Sequence, residues 1–256
     1  LFGPPTADVP NHGHQGAEKR CGHRQFCRST AFEHGETGGA ALLETDTGRI
    51  LAMGSSPTFD PARLAQQWED LREDGSAPLL NRATQGLYQP GAALQTVIVA
   101  EALRAGLVPN LNIEVGFPLT ERIVVDGAAI GCREHPDGTT MRAAYRAACP
   151  APIGELGERL GADGVADAVE RWHLSVPPQL VISTDAGDWS REMISSSALE
   201  AMGQGELAVS PLRMALVAAA VANGGTTPSP RLVSRIRDSR GVWRERGARE
   251  DQYSVL

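Results

Sequence analysis

Tyr88-Gln89-Pro90-Gly91-Ala92-Ala93-Leu94-Gln95 is the most informative segment of this chain, and the apolar run Thr96-Val97-Ile98-Val99-Ala100 follows it directly. A Pro-Gly pair in front of an apolar run predicts a helix that starts at Gly91 and is largely buried. We expect this helix to reach Arg104, because Gly106 stands where helices commonly end in a left-handed residue.

This stretch, with the segment Pro78-Leu79-Leu80-Asn81-Arg82-Ala83-Thr84-Gln85-Gly86-Leu87 before it, resembles the approach to the active-site helix of penicillin-binding protein transpeptidase domains. In that family the residue after Pro-Gly is the acylated serine, and a lysine three positions later activates it. Here these positions hold Ala92 and Gln95. A methyl group cannot attack a carbonyl, and a neutral amide accepts no proton at neutral pH. The resemblance therefore implies the frame of an acyl-enzyme site without its reacting groups.

A second match to the same family lies about a hundred residues further on. The stretch Ala201-Met202-Gly203-Gln204-Gly205, followed by a helix start at Ser210-Pro211, is similar to the Gly-Gln-Gly element that precedes a core helix in penicillin-binding proteins. The resemblance covers roughly residues 38 to 245. It implies an α+β fold of the β-lactamase/transpeptidase type, with an antiparallel sheet flanked by helices and a helical lobe.

The other catalytic elements of the family are also altered. Its Ser-x-Asn element follows the helix that we predict from Met141, and by position Ala148 replaces the serine and Pro150 the asparagine. Neither residue can relay a proton, and Pro150 has no backbone N–H. The only lysine of the chain is Lys19, so no Ser-x-x-Lys or Lys-Thr-Gly can be written, and the C-terminal strand that carries Lys-Thr-Gly is not in this sequence.

The rest of the sequence predicts strands at both ends and helices between them, which is an α+β order. Two hairpins are predicted, one with Asp46-Thr47-Gly48 at its tip and one with Asp238-Ser239-Arg240-Gly241. Besides the helix from Gly91, helices are predicted at 62–71, at 141–148 after a Thr140 cap, at 153–160, at 164–174 and from Ser210-Pro211 to Gly224-Gly225.

We predict two regions, an irregular arm rich in His, Cys and Gly at residues 1–36 and the transpeptidase-like domain at 37–256. In the arm, Cys21, His23 and Cys27 have metal-ligand types, but their spacing matches no specific zinc pattern. A zinc site there is the weaker alternative to an unstructured or disulfide-closed arm. Cys132 could likewise pair with Cys149, or both could be free buried thiols.

Composition limits the classes of partner. A net charge of −7 and the lack of a basic stripe argue against nucleic acid. The longest apolar run, residues 214–222, is about half the length of a membrane span. If the resemblance holds, a membrane anchor would lie upstream of Leu1.

These observations favour a catalytically inactive, penicillin-binding-protein-like module with a binding, scaffolding or structural role outside the membrane, at the cell envelope near peptidoglycan. We expect no catalytic residues and no cofactor. The expected partner is a peptidoglycan stem peptide or another envelope protein. The alternative is an active serine acyl-transferase or hydrolase of the same fold, a D,D-transpeptidase or β-lactam-binding enzyme that uses non-standard residues.

Overall fold

The computed structural model describes residues 37–116, 119, 122–125, 127–245 and 253–255. Among them, eight strands pair two by two, and every pair is antiparallel. The pairs are β1 (Gly38–Leu43) with β2 (Ile50–Ser56), β3 (Ile123–Val125) with β4 (Ala128–Ile130), β5 (Thr226–Thr227) with β8 (Tyr253–Ser254), and β6 (Arg235–Arg237) with β7 (Trp243–Glu245). Residues 1–36 lie outside this description, so the division into an arm and a domain stays a prediction.

Helices occupy the middle of the described chain. The α-helices are α1 (Trp68–Glu73), α2 (Gln95–Arg104), α3 (Met141–Arg146), α4 (Pro150–Arg171), α5 (Ser197–Ala201) and α6 (Pro211–Ala222), and 3-10 turns form at Pro61–Arg63, Gly91–Leu94 and Arg191–Met193. Helices between antiparallel strands confirm the predicted α+β class. No helix in the described part of the chain is long and apolar enough to cross a bilayer.

Local sequence signals place the starts of α3 and α6 and the break in α4 as predicted, whereas α3 ends at Arg146 instead of 148 and the helix predicted from 153 begins at Pro150. The Thr140 and Ser210 hydroxyls cap α3 and α6 by accepting from the backbone N–H groups three residues later, at 3.3 and 3.4 Å. Gly161, with φ 71°, breaks α4 between the two helices that the sequence predicts there. Both hairpins form with the predicted tips, and α2 is followed by Gly106 at φ 70°.

One predicted helix is divided. The sequence predicts a continuous helix over 62–71, whereas the chain forms the 3-10 turn at 61–63 and then α1. No residue of either segment is buried. Short helices without a buried face gain little from packing, so a turn capped by Asp60 and one short helix replace the longer one.

The core is a buried cluster that draws more side chains from α2 and α4 than from α3, α5 or α6. Its largest fully buried members are aliphatic side chains and one tryptophan, among them Leu94, Ile98, Ile153, Leu156, Trp172 and Leu174. Leu212 and Leu216 of α6 are also fully buried, and α6 packs against β1. One carboxylate is buried in this core. Glu101 of α2, whose side chain is 1% exposed, accepts from Trp172 Nε1 at 3.3 Å and pairs with Arg104 and Arg171. A charge can be buried here because each carboxylate oxygen has a donor.

The C-terminal strand β8 is held against the end of α4 by an aromatic stack. The rings of His173 and Tyr253 lie 3.7 Å apart, and Arg213 donates to the Tyr253 hydroxyl at 2.9 Å. Burial, and secondarily the Arg213 charge, lowers the pKa of His173 below its usual 6.5. The lowered pKa means that the neutral form of the imidazole is favoured here.

We expect this stack to make stability depend on pH. The pKa of His173 is lower in the folded chain than in the unfolded chain. The contribution of the neutral imidazole to the stability of the fold is therefore present above about pH 6.5 and is lost as the pH falls below that value. His173→Phe keeps a stacking ring without a titrating group. The free energy of unfolding of both proteins is measured in urea at about pH 7.5 and at about pH 5.5. Relative to the variant, the wild type should be less stable at about pH 5.5 than at about pH 7.5. A constant difference would contradict this assignment.

Candidate functional site

Two stretches singled out in the sequence meet backbone to backbone. The Gly91 N–H donates to the Gly203 carbonyl at 3.0 Å. Gly203 has φ 69°, and a Cβ on it would lie 2.5 Å from both the nitrogen and the oxygen of Gly91. Glycine is therefore required at position 203 both by its backbone conformation and by the close approach. The Pro-Gly turn and the Gly-Gln-Gly turn form one structural unit.

Further contacts fix this unit on both sides. Tyr88 and Val209 exchange two backbone hydrogen bonds, at 3.1 and 2.9 Å, and the Gln89 side chain donates to the Gly205 carbonyl at 2.8 Å. Beneath it, the buried Glu200 carboxylate accepts from the backbone N–H groups of residues 206 and 207 and from Trp189 Nε1. The turn that carries Gln204 is therefore held by hydrogen bonds to the chain before α2 and to the buried Glu200 carboxylate.

The start of α2 places two of the altered positions on one side of the chain. Ala92 is exposed in the 3-10 turn, while Leu94 beside it is fully buried. Residues three apart in a 3-10 turn lie above one another, so Gln95 follows Ala92 on the same side. The Gln95 amide donates to the Tyr145 carbonyl at 3.1 Å, and Thr96 and Tyr145 share a hydroxyl hydrogen bond of 2.8 Å. Gln95 thus ties α2 to the end of α3.

The other two altered positions lie between α3 and α4. Ala148 has the left-handed φ of 49°, and Pro150 is the first residue of α4. Cys149 between them forms a disulfide with Cys132, which settles the pairing that the sequence left open. The Ala147 carbonyl also accepts from the backbone N–H groups of residues 133 and 134, at 2.9 and 3.1 Å. This junction is therefore fixed to the loop after β4.

The four altered positions line one cavity of about 180 Å³, which we call the Ala92 groove. Its lining is mostly apolar, with two amides and one guanidinium. The residues are Ala92, Gln95, Ile130, Gly131, Arg133, Ala148, Cys149, Pro150, Ile153, Met202 and Gln204. The sequence analysis missed Arg133 and Met202. The only signal for Arg133 was its place beside Cys132, and Met202 stands beside the quoted glycines.

The described lining of the groove carries none of the side chains that usually perform acyl transfer. None of its described lining residues carries a hydroxyl, a free thiol, an amine, an imidazole or a carboxylate, because Cys149 is in a disulfide. Acylation requires a nucleophile and a base within hydrogen-bond reach of one another. The groove can supply hydrogen bonds from Gln95 and Gln204, a charge from Arg133 and an apolar floor. This arrangement can bind a ligand but offers no attacking atom.

Outside the groove, Ser196 has a structural role, since it caps α5 by accepting from the Leu199 N–H at 3.3 Å. Cys21, His23 and Cys27 lie outside the described residues, so the weak zinc hypothesis stays a prediction. Within the described ranges, no group of three or more His, Cys, Asp or Glu side chains could hold a metal ion.

Comparison with known proteins places this geometry in a family. Residues 38–254 match the penicillin binding protein transpeptidase domain. Two similar relatives are the peptidoglycan D,D-transpeptidase PbpA of Mycolicibacterium smegmatis, 31% identical over 214 residues, and that of Mycobacterium tuberculosis, 33% identical over 215 residues. Each match takes in 78% of this chain and 43% of the relative, so the chain spans less than half the length of these proteins.

Solved structures agree. The imipenem acyl-enzyme complex of penicillin-binding protein A from M. tuberculosis superposes with a TM-score of 0.72 at 27% identity, covering 94% of this chain and 57% of the other. The D,D-transpeptidase domain of a peptidoglycan glycosyltransferase from Eggerthella lenta gives a TM-score of 0.75 over 93% of this chain and 60% of the other, and at 23% identity it supports the fold alone. With the family match over most of its length, this chain belongs to the penicillin-binding protein transpeptidase domain family.

Proposed function

We propose that this transpeptidase domain does not form an acyl-enzyme and acts as a non-covalent binding or scaffolding module at the cell envelope near peptidoglycan. One observation carries the proposal. Ala92 and Gln95 lie with Ala148 and Pro150 on the wall of one groove, and no described residue of that groove has a nucleophilic atom. The names of the relatives support peptidoglycan as the setting.

The first test is acylation by a fluorescent penicillin. We expect no covalent adduct at any drug concentration, because a methyl group at position 92 cannot attack the lactam carbonyl. Penicillin-binding protein A from M. tuberculosis is the positive control, since its penicillin G acyl-enzyme complex has been solved. Intact-protein mass spectrometry is the measurement.

A stable mass increase equal to the drug, mapped to any serine, would overturn the proposal. It would support the alternative, an active serine acyl-transferase or hydrolase of this fold that uses residues outside the Ala92 groove. The observation that favours this alternative is that the similar solved structures include acyl-enzyme complexes.

The second test concerns binding. A transpeptidase-type groove can hold a peptide by hydrogen bonds and apolar contact without a nucleophile. We expect an uncross-linked muropeptide to shift the amide resonances of Ala92, Ala148 and Gln204 in a ¹⁵N-labelled sample, and to be recovered unchanged. Saturable shifts at these positions support the proposal. Their absence, with no shift elsewhere, would remove peptidoglycan as the ligand.

A further inference from the structure

A second cavity adjoins the Ala92 groove. It has a volume of about 360 Å³ and lies at the end of β4 and along the loop that follows it. Its described lining residues are Arg122, Ala129, Gly131, Cys132, Arg133, Glu134, His135 and Pro136. Gly131 and Arg133 line both cavities, so the two spaces are neighbours on one surface. We call the second space the arginine cavity.

The arginine cavity holds two guanidinium groups that are not used by the fold. Arg122 and Arg133 are exposed, and neither side chain forms an ion pair or a hydrogen bond with any described residue. Glu134 lines the same cavity but pairs with neither of them. Arg191, by contrast, pairs with the carboxylates of three α4 residues, Asp163, Asp167 and Glu170. Two cations without a partner among the described residues therefore stand beside the groove, in a chain of net charge −7.

The backbone of Arg133 is anchored, although its side chain has no hydrogen bond or ion pair with another described residue. Its backbone N–H donates to the Ala147 carbonyl at 2.9 Å, and the residue before it is in the disulfide with Cys149. These two links hold the backbone of residue 133 beside the segment that carries Ala148 and Pro150. A guanidinium binds a carboxylate through two parallel N–H donors, with geometric specificity that an ammonium lacks.

We propose that the arginine cavity is a carboxylate subsite of the Ala92 groove, and that the domain selects acidic peptides. A peptide lying in the groove would place a side-chain carboxylate on Arg133, with Arg122 as the second donor. The inference rests on the proposed binding function and specifies its ligand class. It assigns to Arg133 and Arg122 a binding role that needs no acylation.

The test compares two synthetic muropeptide stems that differ only in one side chain, a carboxylate in the first and the corresponding carboxamide in the second. We expect the wild-type chain to bind the carboxylate form roughly fivefold more tightly in calorimetric titration, which is the scale of a partly exposed ion pair. This preference should decrease when ionic strength is raised from about 0.05 M to about 0.5 M, because salt screens exposed charges.

Variants assign the preference to the cavity. Arg133→Ala should remove most of the preference for the carboxylate stem, whereas Arg133→Lys should keep part of it because the charge remains. Arg63→Ala is the matched control, since Arg63 is an exposed arginine that lines neither cavity. Unfolding midpoints should stay the same in all three variants, because the backbone bond of residue 133 is retained.

The outcomes separate this inference from the function on which it rests. Equal affinity for the two stems, or a preference that survives both Arg133→Ala and Arg122→Ala, would overturn the carboxylate subsite and leave non-covalent binding in place. If neither stem binds, both the subsite and the proposed binding function are overturned.

Discussion

Gly203→Ala is expected to lower the free energy of unfolding by about 3 kcal/mol or more, because it combines a left-handed backbone with backbone overlap. The new Cβ would lie 2.5 Å from the nitrogen and the oxygen of Gly91, and backbone atoms cannot move aside as a flexible side chain can. The turn must therefore shift away from the start of α2. Since Met202 and Gln204 line the Ala92 groove, we also expect weaker muropeptide binding.

Gly106→Ala separates the two causes of this loss. Gly106 has nearly the same φ of 70°, but a Cβ there would meet nothing within 4 Å. Gly106→Ala should therefore lower the free energy of unfolding by only about 1 kcal/mol, which is the conformational penalty alone. Urea unfolding followed by tryptophan fluorescence measures both variants. If the two variants lose the same free energy of unfolding, the close contact with Gly91 does not restrict which side chain fits at position 203.

The second large effect is expected at Glu101. Glu101→Ala would leave Trp172 Nε1 without its acceptor in the core and would open a cavity. We expect it to lower the free energy of unfolding by about 3 kcal/mol. The side chains of Arg104 and Arg171 are 46% and 38% exposed, so water can take over part of their interactions. Removal of the carboxylate should therefore cost less than breaking a fully buried ion pair. The free energy of unfolding in urea is the measurement.

Two further variants make this prediction specific. Glu101→Gln keeps an acceptor for Trp172 and loses only the charge, so its loss should be smaller than that of Glu101→Ala. Glu155→Ala changes an exposed glutamate of α4 and should stay within about 0.5 kcal/mol of wild type. If Glu101→Ala also stays within that range, the buried carboxylate contributes little to stability.

These stability effects bear on how the binding proposal is tested. The Gly203 and Glu101 variants change the scaffold, so weaker ligand binding in them would not assign a binding role to either residue. Arg133 is different, because its side chain forms no hydrogen bond or ion pair with a described residue that a substitution would break. Variants at position 133 therefore report on the ligand, and variants at positions 203 and 101 report on the frame that holds the groove.

Local chemistry determined much of the fold. The caps at Thr140 and Ser210, the break at Gly161 and both hairpin tips depend on residues only a few positions apart, so their effects can be predicted along the chain. The family resemblance rested on two short glycine-containing stretches, which are recognisable because their conformation tolerates few other residues. The 62–71 helix was wrongly predicted as continuous, since local pattern does not report whether a face is buried.

The α+β class and the family could be predicted from the sequence, and so could the lack of a serine at position 92 and of a lysine at position 95. The folded chain was needed to show that Ala92 and Gln95 share a groove with Ala148, that Cys132 pairs with Cys149, and that Arg133 lines two cavities. These relations join residues tens of positions apart. They arise when α2, α4 and the loop after β4 pack together, and packing depends on the whole set of buried side chains rather than on any local signal.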